Sequence, residues 1–186
     1  MVDCMTDQTE QKILEAALKL FSEKGYAGAT TKIIAAKAGF TEMTLYTKFK
    51  TKQNLFDQVM IYGKRQLNED ASSILFIDKE FEDPLDFLET YVRNLEKFVW
   101  NNLEFFKLGF NMERKIAEQF LMEGSYDFSK YIEKNIPNQK IDYMAFTLTI
   151  FSFVYMYNLG KYHGRQDTSI DDILDKFIYN LSLSIQ

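Results

Sequence analysis

TTKIIAAKAGFTEMTLYTKF, residues 30–49, is the stretch whose reading decides the fold. Its spacing predicts two short helices meeting at a tight corner. Thr30 supplies an N-cap hydroxyl, and Ile34, Ala35 and Ala38 follow at helical spacing. Gly39 ends the first helix, because glycine adopts the left-handed conformation that satisfies the last carbonyls. Thr41 caps the second helix, which carries Leu45 and Phe49 four residues apart on an inward face. The small residues Ala35, Ala38 and Gly39 let the two helices cross closely, giving a helix-turn-helix spacing.

The outward face of the second helix is polar: Glu42, Thr44, Thr47 and Lys48, with Tyr46 beside them. On a helix standing proud of a small core, such residues can reach base edges and phosphates in a major groove. The same spacing also fits an ordinary helical corner with a solvated face.

The run from Ile13 to Phe56 resembles the DNA-binding domain of the tetracycline-repressor (TetR) family of bacterial transcriptional regulators. Six pieces carry the resemblance in order: ILEAALKLFSEKGY from Ile13, TT before IA at Ile34, AG at Ala38, TLY at Thr44, Phe49, and TK at Thr51 ahead of Leu55. Three positions depart from the family's habit. Lys32 stands where Val is common, Met43 where Gly is frequent, and Lys48 where His or Tyr is frequent; these bear on operator sequence rather than on fold. The resemblance implies an all-α protein of about nine helices. A three-helix DNA-binding head occupies residues 1–51, and a helical ligand-binding and dimerisation body occupies 52–186.

Composition agrees with a globular chain. Of its 186 residues 46% are hydrophobic and 16% aromatic, ample for a core. The net charge of −5 is unevenly placed. Residues 1–55 hold eight lysines against six carboxylates, and the remainder holds 14 basic against 21 acidic residues. An acidic body with a slightly basic head suits DNA meeting only the head. Cys4 is the single cysteine, so no internal disulfide is available and the chain reads as cytosolic. No signal peptide is evident. Tyr143 to Gly160 is free of charge for 18 residues, about a bilayer's span, but it carries Thr147, Thr149, Ser152, Asn158 and three tyrosines, which argue for a buried helix.

Helices are expected throughout. The first starts near Asp7, with Glu10 completing a capping box, and ends at Lys24 before Gly25, with Ile13, Ala16, Ala17, Leu20 and Phe21 inward. Thr51 caps a long fourth helix starting at Lys52, where a phosphate would meet both the ammonium and free amides. The resemblance implies that ligand binding moves this helix and the head with it. Asp83 followed by Pro84 is a strong start signal for a helix running to about Asn101. A shorter helix covers Leu103 to Phe110, interrupted near Gly109, and another covers about Glu113 to Asn135 with Ile116 and Phe120, broken or bent at Gly124 and Ser125. Two final helices run from about Ile141 to Tyr162 and from Ile170 to Ile185, the last entered through Ser169.

The 141–162 helix is apolar all round. One stripe holds Ile141, Ala145, Leu148, Ser152, Tyr155 and Leu159, the other Tyr143, Phe146, Ile150, Phe153, Val154 and Tyr157. Such a helix needs burial on both sides. Packed with the last helix as a four-helix bundle about a two-fold axis, Leu148, Ser152, Tyr155, Leu159, Ile173, Phe177 and Leu181 would form a homodimer interface. The alternative is the central helix of a large monomeric core. In the body, Trp100, Phe105, Phe106, Phe110, Met112, Phe120, Tyr143 and Phe146 are candidates to line a ligand cavity for an apolar or planar molecule, or simply to fill the core.

Catalysis is not expected. His163 is the only histidine, one cysteine offers no thiolate cluster, and neither a phosphate-cradling GxxxxGK run nor a GxGxxG turn occurs. No cofactor or metal is expected. The favoured reading is therefore a ligand-responsive dimeric transcriptional regulator, a repressor on a palindromic operator, released by a small hydrophobic or aromatic effector. Thr31, Lys32, Thr41, Glu42, Met43, Thr44, Tyr46, Thr47, Lys48 and Lys52 would meet the DNA. Lys48 and Lys52 would attract phosphate, Tyr46 would donate to it, and Thr44 and Thr47 suit a thymine methyl or a base edge. Glu42 must accept from a cytosine amino group, stay solvated or repel phosphate. Two alternatives are an architectural DNA-binding protein of the same fold without an inducer, and a helical small-molecule-binding module.

Overall fold

The computed structural model describes residues 8–112, 114–138, 140–164 and 169–185, without the side chains of 114–117, 119–121 and 169–171. Cys4 and Asp7 therefore lie outside the described residues, as do the side chains of Ile116, Phe120, Ser169 and Ile170. The described residues form nine α-helices: α1 (Gln8–Gly28), α2 (Thr31–Ala38), α3 (Glu42–Phe49), α4 (Lys52–Asp70), α5 (Pro84–Asn101), α6 (Leu103–Phe110), α7 (Arg114–Asn135), α8 (Tyr143–Tyr162) and α9 (Ser169–Ser184). A π-helical segment, Ala71–Leu75, continues α4. Helical hydrogen bonding in α1 resumes beyond Gly25, whose φ of 69° interrupts it where the sequence places the end. α7 runs unbroken through Gly124 and Ser125.

The chain divides into two compact units. The first is Met1–Asn68 with Glu104–Glu113; the second is Glu69–Leu103 with Arg114–Gln186. This differs from a boundary after Thr51. The reason is burial: Leu55, Val59 and Tyr62 of α4, together with Leu108 of α6, share one apolar cluster with Ile13, Leu14, Ala17, Leu20 and Phe21 of α1. Ile34 and Ala35 of α2 and Leu45 and Phe49 of α3 complete it. Each large side chain fully buried there stabilises the unit by roughly 1.5–3 kcal/mol.

In the second unit α5 is strongly amphipathic and buries Phe87, Leu88, Tyr91, Val92, Leu95, Phe98 and Val99. Asp83 caps it, its carboxylate accepting from the amides of Leu85 at 2.8 Å and Asp86 at 2.9 Å. Aromatic rings gather along it: Phe87 stands 5.4 Å from Tyr131 edge-on, and Phe98 stands 5.8 Å from Phe128. Tyr131 donates its hydroxyl to the Ile77 carbonyl at 3.1 Å. Burial raises the pKa of Tyr91 well above the ordinary tyrosine value, and the neighbouring Tyr131 adds to the shift.

α8 corrects the sequence reading of its faces. Its buried side is Thr147, Ile150, Phe151, Val154 and Asn158, a stripe at i, i+3, i+4, i+7 and i+11. Thr147, Phe151 and Asn158 belong to neither stripe assigned from sequence, because a helix apolar on all sides has no periodic minimum to mark its core face. Asn158 is completely buried, and its amide donates to the carbonyls of Val154 at 3.0 Å and Glu96 at 3.3 Å. Its start is fixed by Asp142, whose carboxylate accepts from the Ala145 amide at 2.9 Å. Among the described residues no helix is long and apolar enough to cross a membrane.

Candidate nucleic-acid interface

The α2–α3 corner is built by three local devices. Thr30 accepts from the Ile33 amide at 3.3 Å and opens α2. Gly39, at φ 82°, closes it, so that the Phe40 amide reaches back to the Ala35 carbonyl at 2.9 Å. Thr41 accepts from the Thr44 amide at 3.2 Å and opens α3. Leu45 and Phe49 then turn into the core at 0% and 2% exposure, which commits the opposite face of α3 to the surface. Lys50 leaves α3 at φ 63°, its amide bonded to the Tyr46 carbonyl and its Nζ donating to the Thr47 carbonyl at 2.8 Å.

Of the residues assigned to DNA from sequence, Lys32, Thr41, Met43, Tyr46, Thr47 and Lys48 are exposed, and Glu42, Thr44 and Lys52 are half-buried. Thr31 is buried at 7% exposure. Its hydroxyl donates to Glu42 Oε1 at 2.6 Å and lies 3.3 Å from the Tyr46 hydroxyl. Glu42 thus has a use the sequence did not suggest: its carboxylate pins the first turn of α3 onto the first turn of α2. Thr41 and Thr44 share a hydroxyl contact of 2.9 Å, and Thr47 donates to the Met43 carbonyl at 2.8 Å.

Lys52 is engaged elsewhere as well. Its Nζ donates to the Tyr26 carbonyl at 2.5 Å and sits 4.5 Å above the Tyr26 ring, which in turn packs on Phe21 and Phe56. Two exposed lysines, Lys37 and Lys50, were not singled out from sequence; the alternation of Lys48, Lys50 and Lys52 was the signal available. Between Thr30 and Lys52 five lysines stand against the single carboxylate of Glu42, giving this corner a basic surface.

The aromatic candidates divide between the two units. Phe105 and Phe106 are buried in the first unit at 2% and 5% exposure, with Phe110 and Met112 half-buried. Trp100, Tyr143 and Phe146 belong to the second. Trp100 is 44% exposed with Lys161 Nζ 5.2 Å from its ring. Tyr143 ties the α7–α8 connection, donating to the Ile136 carbonyl at 2.6 Å and accepting from the Asn138 amide at 2.7 Å. Phe120 falls outside the described side chains.

On α8 and α9, Ser152 and Ile173 are exposed, Leu148, Tyr155, Leu159 and Phe177 are half-buried, and Leu181 is buried. Phe177 stacks on Phe153 at 3.7 Å. Met156 and Tyr179, each 64% exposed, and Leu183, 54% exposed, add large apolar groups that the sequence stripes left out.

Residues 13–59 match the family model described as bacterial regulatory proteins, tetR family. The chain is 32% identical over 103 residues to the uncharacterized HTH-type transcriptional regulator YhgD of Bacillus subtilis, a match covering 55% of this chain and 49% of that protein. It is 32% identical over 95 residues to the HTH-type transcriptional repressor NicS of Pseudomonas putida, covering 51% of this chain and 42% of NicS. These matches span about half or less of either relative. In fold it is similar to a bacterial regulatory protein in the tetR family from Rhodococcus RHA1, with a TM-score of 0.68 at 18% identity over 97% of each chain. The capped α2–α3 corner and the match agree that residues 13–59 form a region of the kind found in bacterial regulatory proteins of the tetR family.

Proposed function

We propose that this chain is a DNA-binding transcriptional regulator of the cytoplasm, acting as a homodimer on a palindromic operator and released by a small hydrophobic or aromatic effector. The observation that carries this reading is the surface of α3. It presents Met43, Tyr46, Thr47 and Lys48 outward, its only carboxylate is bonded to Thr31, and lysines surround it. Such a face, with lysines outnumbering its one carboxylate, suits a major groove and the phosphates that flank it. Lys32 and Lys48 serve phosphate attraction, with Lys37 and Lys50 joining them.

Dimerisation is supported by the apolar exposure of α8 and α9. Met156, Ile173, Tyr179 and Leu183 stand out of a single protomer, and two such surfaces related by a two-fold axis would cover one another. A two-fold protein reads two half-sites, so the operator is a palindrome. The likeness to NicS, which is named a repressor, supports repression as the sense of regulation. The aromatic content of α6 and α8 supports an apolar effector.

The test is selection of genomic DNA fragments by the full chain at near-physiological salt, read by sequencing. One enriched two-fold symmetric site is expected. A folded, dimeric protein that enriches no site would overturn the proposal and favour a helical small-molecule-binding module.

A further inference from the structure

Met43 is the most exposed of the large apolar side chains among the described residues, at 79%. It sits one turn from Thr47 on the face of α3 opposite Leu45 and Phe49. Leaving a methionine in water there does nothing for the fold, since the core side of α3 is already filled. The polar groups around it are largely spent. Thr31 gives its proton to Glu42, Thr47 gives its proton to the Met43 carbonyl, and one of the Thr41 and Thr44 hydroxyls donates to the other.

A recognition surface with several of its hydroxyl protons and a carboxylate oxygen already bonded within the protein relies the more on apolar contact to discriminate. In the major groove the one apolar feature that differs between bases is the thymine C5 methyl. A thioether side chain is polarizable and adapts its rotamer to such a group. The lysines flanking α3 attract the DNA backbone and bring no competing apolar partner.

We propose that Met43 is a specificity-determining residue that packs on a thymine methyl, so that each operator half-site carries a thymine at the position it faces. The proposal rests on the regulator reading above. It makes base discrimination at that position a matter of one methyl rather than of a hydrogen-bonded pair.

The experiment takes the operator recovered by selection from a random duplex library and replaces each thymine in turn by deoxyuridine, which keeps the hydrogen-bonding edge and loses only the methyl. One symmetry-related thymine pair is expected to lose about fourfold in affinity per half-site, the value of one buried methyl. Met43→Ala is expected to bind thymine and uracil operators equally, with an unchanged melting curve. Restoring a methyl to a cytosine placed at that position should favour binding by the wild-type chain and not by Met43→Ala. If no thymine is methyl-sensitive, or if the sensitivity survives in Met43→Ala, this inference is overturned while the regulator reading stands. Failure to recover any operator would overturn both.

Discussion

The ring of Phe105 on α6 occupies the space that a side chain on Gly63 of α4 would need: a Cβ there would lie 2.2 Å from Phe105 Cδ2 and 2.4 Å from Cε2. Gly63 is helical and buried, so its role is close approach and not backbone freedom. Phe105 is buried at 2% exposure and has no room to swing aside. Overpacking of this kind costs about 1–3 kcal/mol, against the ~1 kcal/mol that alanine gains over glycine in a helix. Gly63→Ala is therefore expected to destabilise the wild-type chain. In a Phe105→Ala background the same change should stabilise by up to ~1 kcal/mol, because the obstruction is gone and the helix propensity remains. Urea unfolding of the four proteins in a double-mutant cycle checks the reversal of sign.

Thr31 and Glu42 form the bond that holds α3 against α2. Thr31→Val keeps the volume of a buried side chain but removes its donor, leaving the carboxylate without its partner. A hydrogen bond to a charged group contributes about 1.5–3 kcal/mol when buried and less at a half-buried site, so a loss near ~1 kcal/mol is expected. The freed carboxylate would then face phosphate, and operator affinity should fall more than stability alone explains. Glu42→Gln, which accepts the same bond without the charge, should retain both. Equal DNA affinities for Thr31→Val and wild type would show that the bond has no part in positioning α3.

Lys48 and Lys52 are expected to behave differently despite lying four residues apart. Lys48→Ala should weaken binding to all DNA sequences alike and reduce the slope of log affinity against log salt by about one. Lys52→Ala should instead lower thermal stability, by about 0.5–1 kcal/mol for the lost contact over the Tyr26 ring, because its ammonium is already bonded to Tyr26. A salt titration of binding beside a melting curve for each variant separates the two roles.

Met156 and Tyr179 test the dimer. Each is 64% exposed in the protomer, so Met156→Lys or Tyr179→Glu should leave the fold of a single chain intact. Buried in the proposed interface, an unpaired charge costs about 3 kcal/mol, roughly a hundredfold in the dimer dissociation constant. Light scattering after gel filtration should find monomers at micromolar concentration, and an unchanged dimer would move the interface elsewhere.

Tyr91 supplies a pH dependence. Its pKa is raised in the folded chain, chiefly by burial and further by Tyr131, so folding favours its neutral form. The sign follows directly: its contribution is fully present below the ordinary tyrosine pKa of about 10 and is lost as pH rises above it. Tyr91→Phe should flatten the fall in stability between about pH 9 and 11, measured by urea midpoints across that range. A slope identical to wild type would place the alkaline lability in other groups.

Much of this protein was determined by the sequence acting locally. Thr30, Gly39, Thr41, Thr51 and Asp83 cap or close their helices with bonds to amides and carbonyls a few residues away, so their roles are legible without knowing what packs where. The Ile13 to Phe21 stripe of α1 is likewise read at helical spacing and is buried as read. Tertiary structure alone decided the rest, because the deciding partners are distant in the chain. The core face of α8 is invisible to periodicity in a helix apolar on every side. Glu42 finds Thr31 eleven residues back, Lys52 finds Tyr26 twenty-six residues back, and Phe105 closes on Gly63 forty-two residues back. A local pattern specifies a helix and its ends; which side chain is spent inside the protein and which is left for a partner depends on contacts that exist only once the helices are packed.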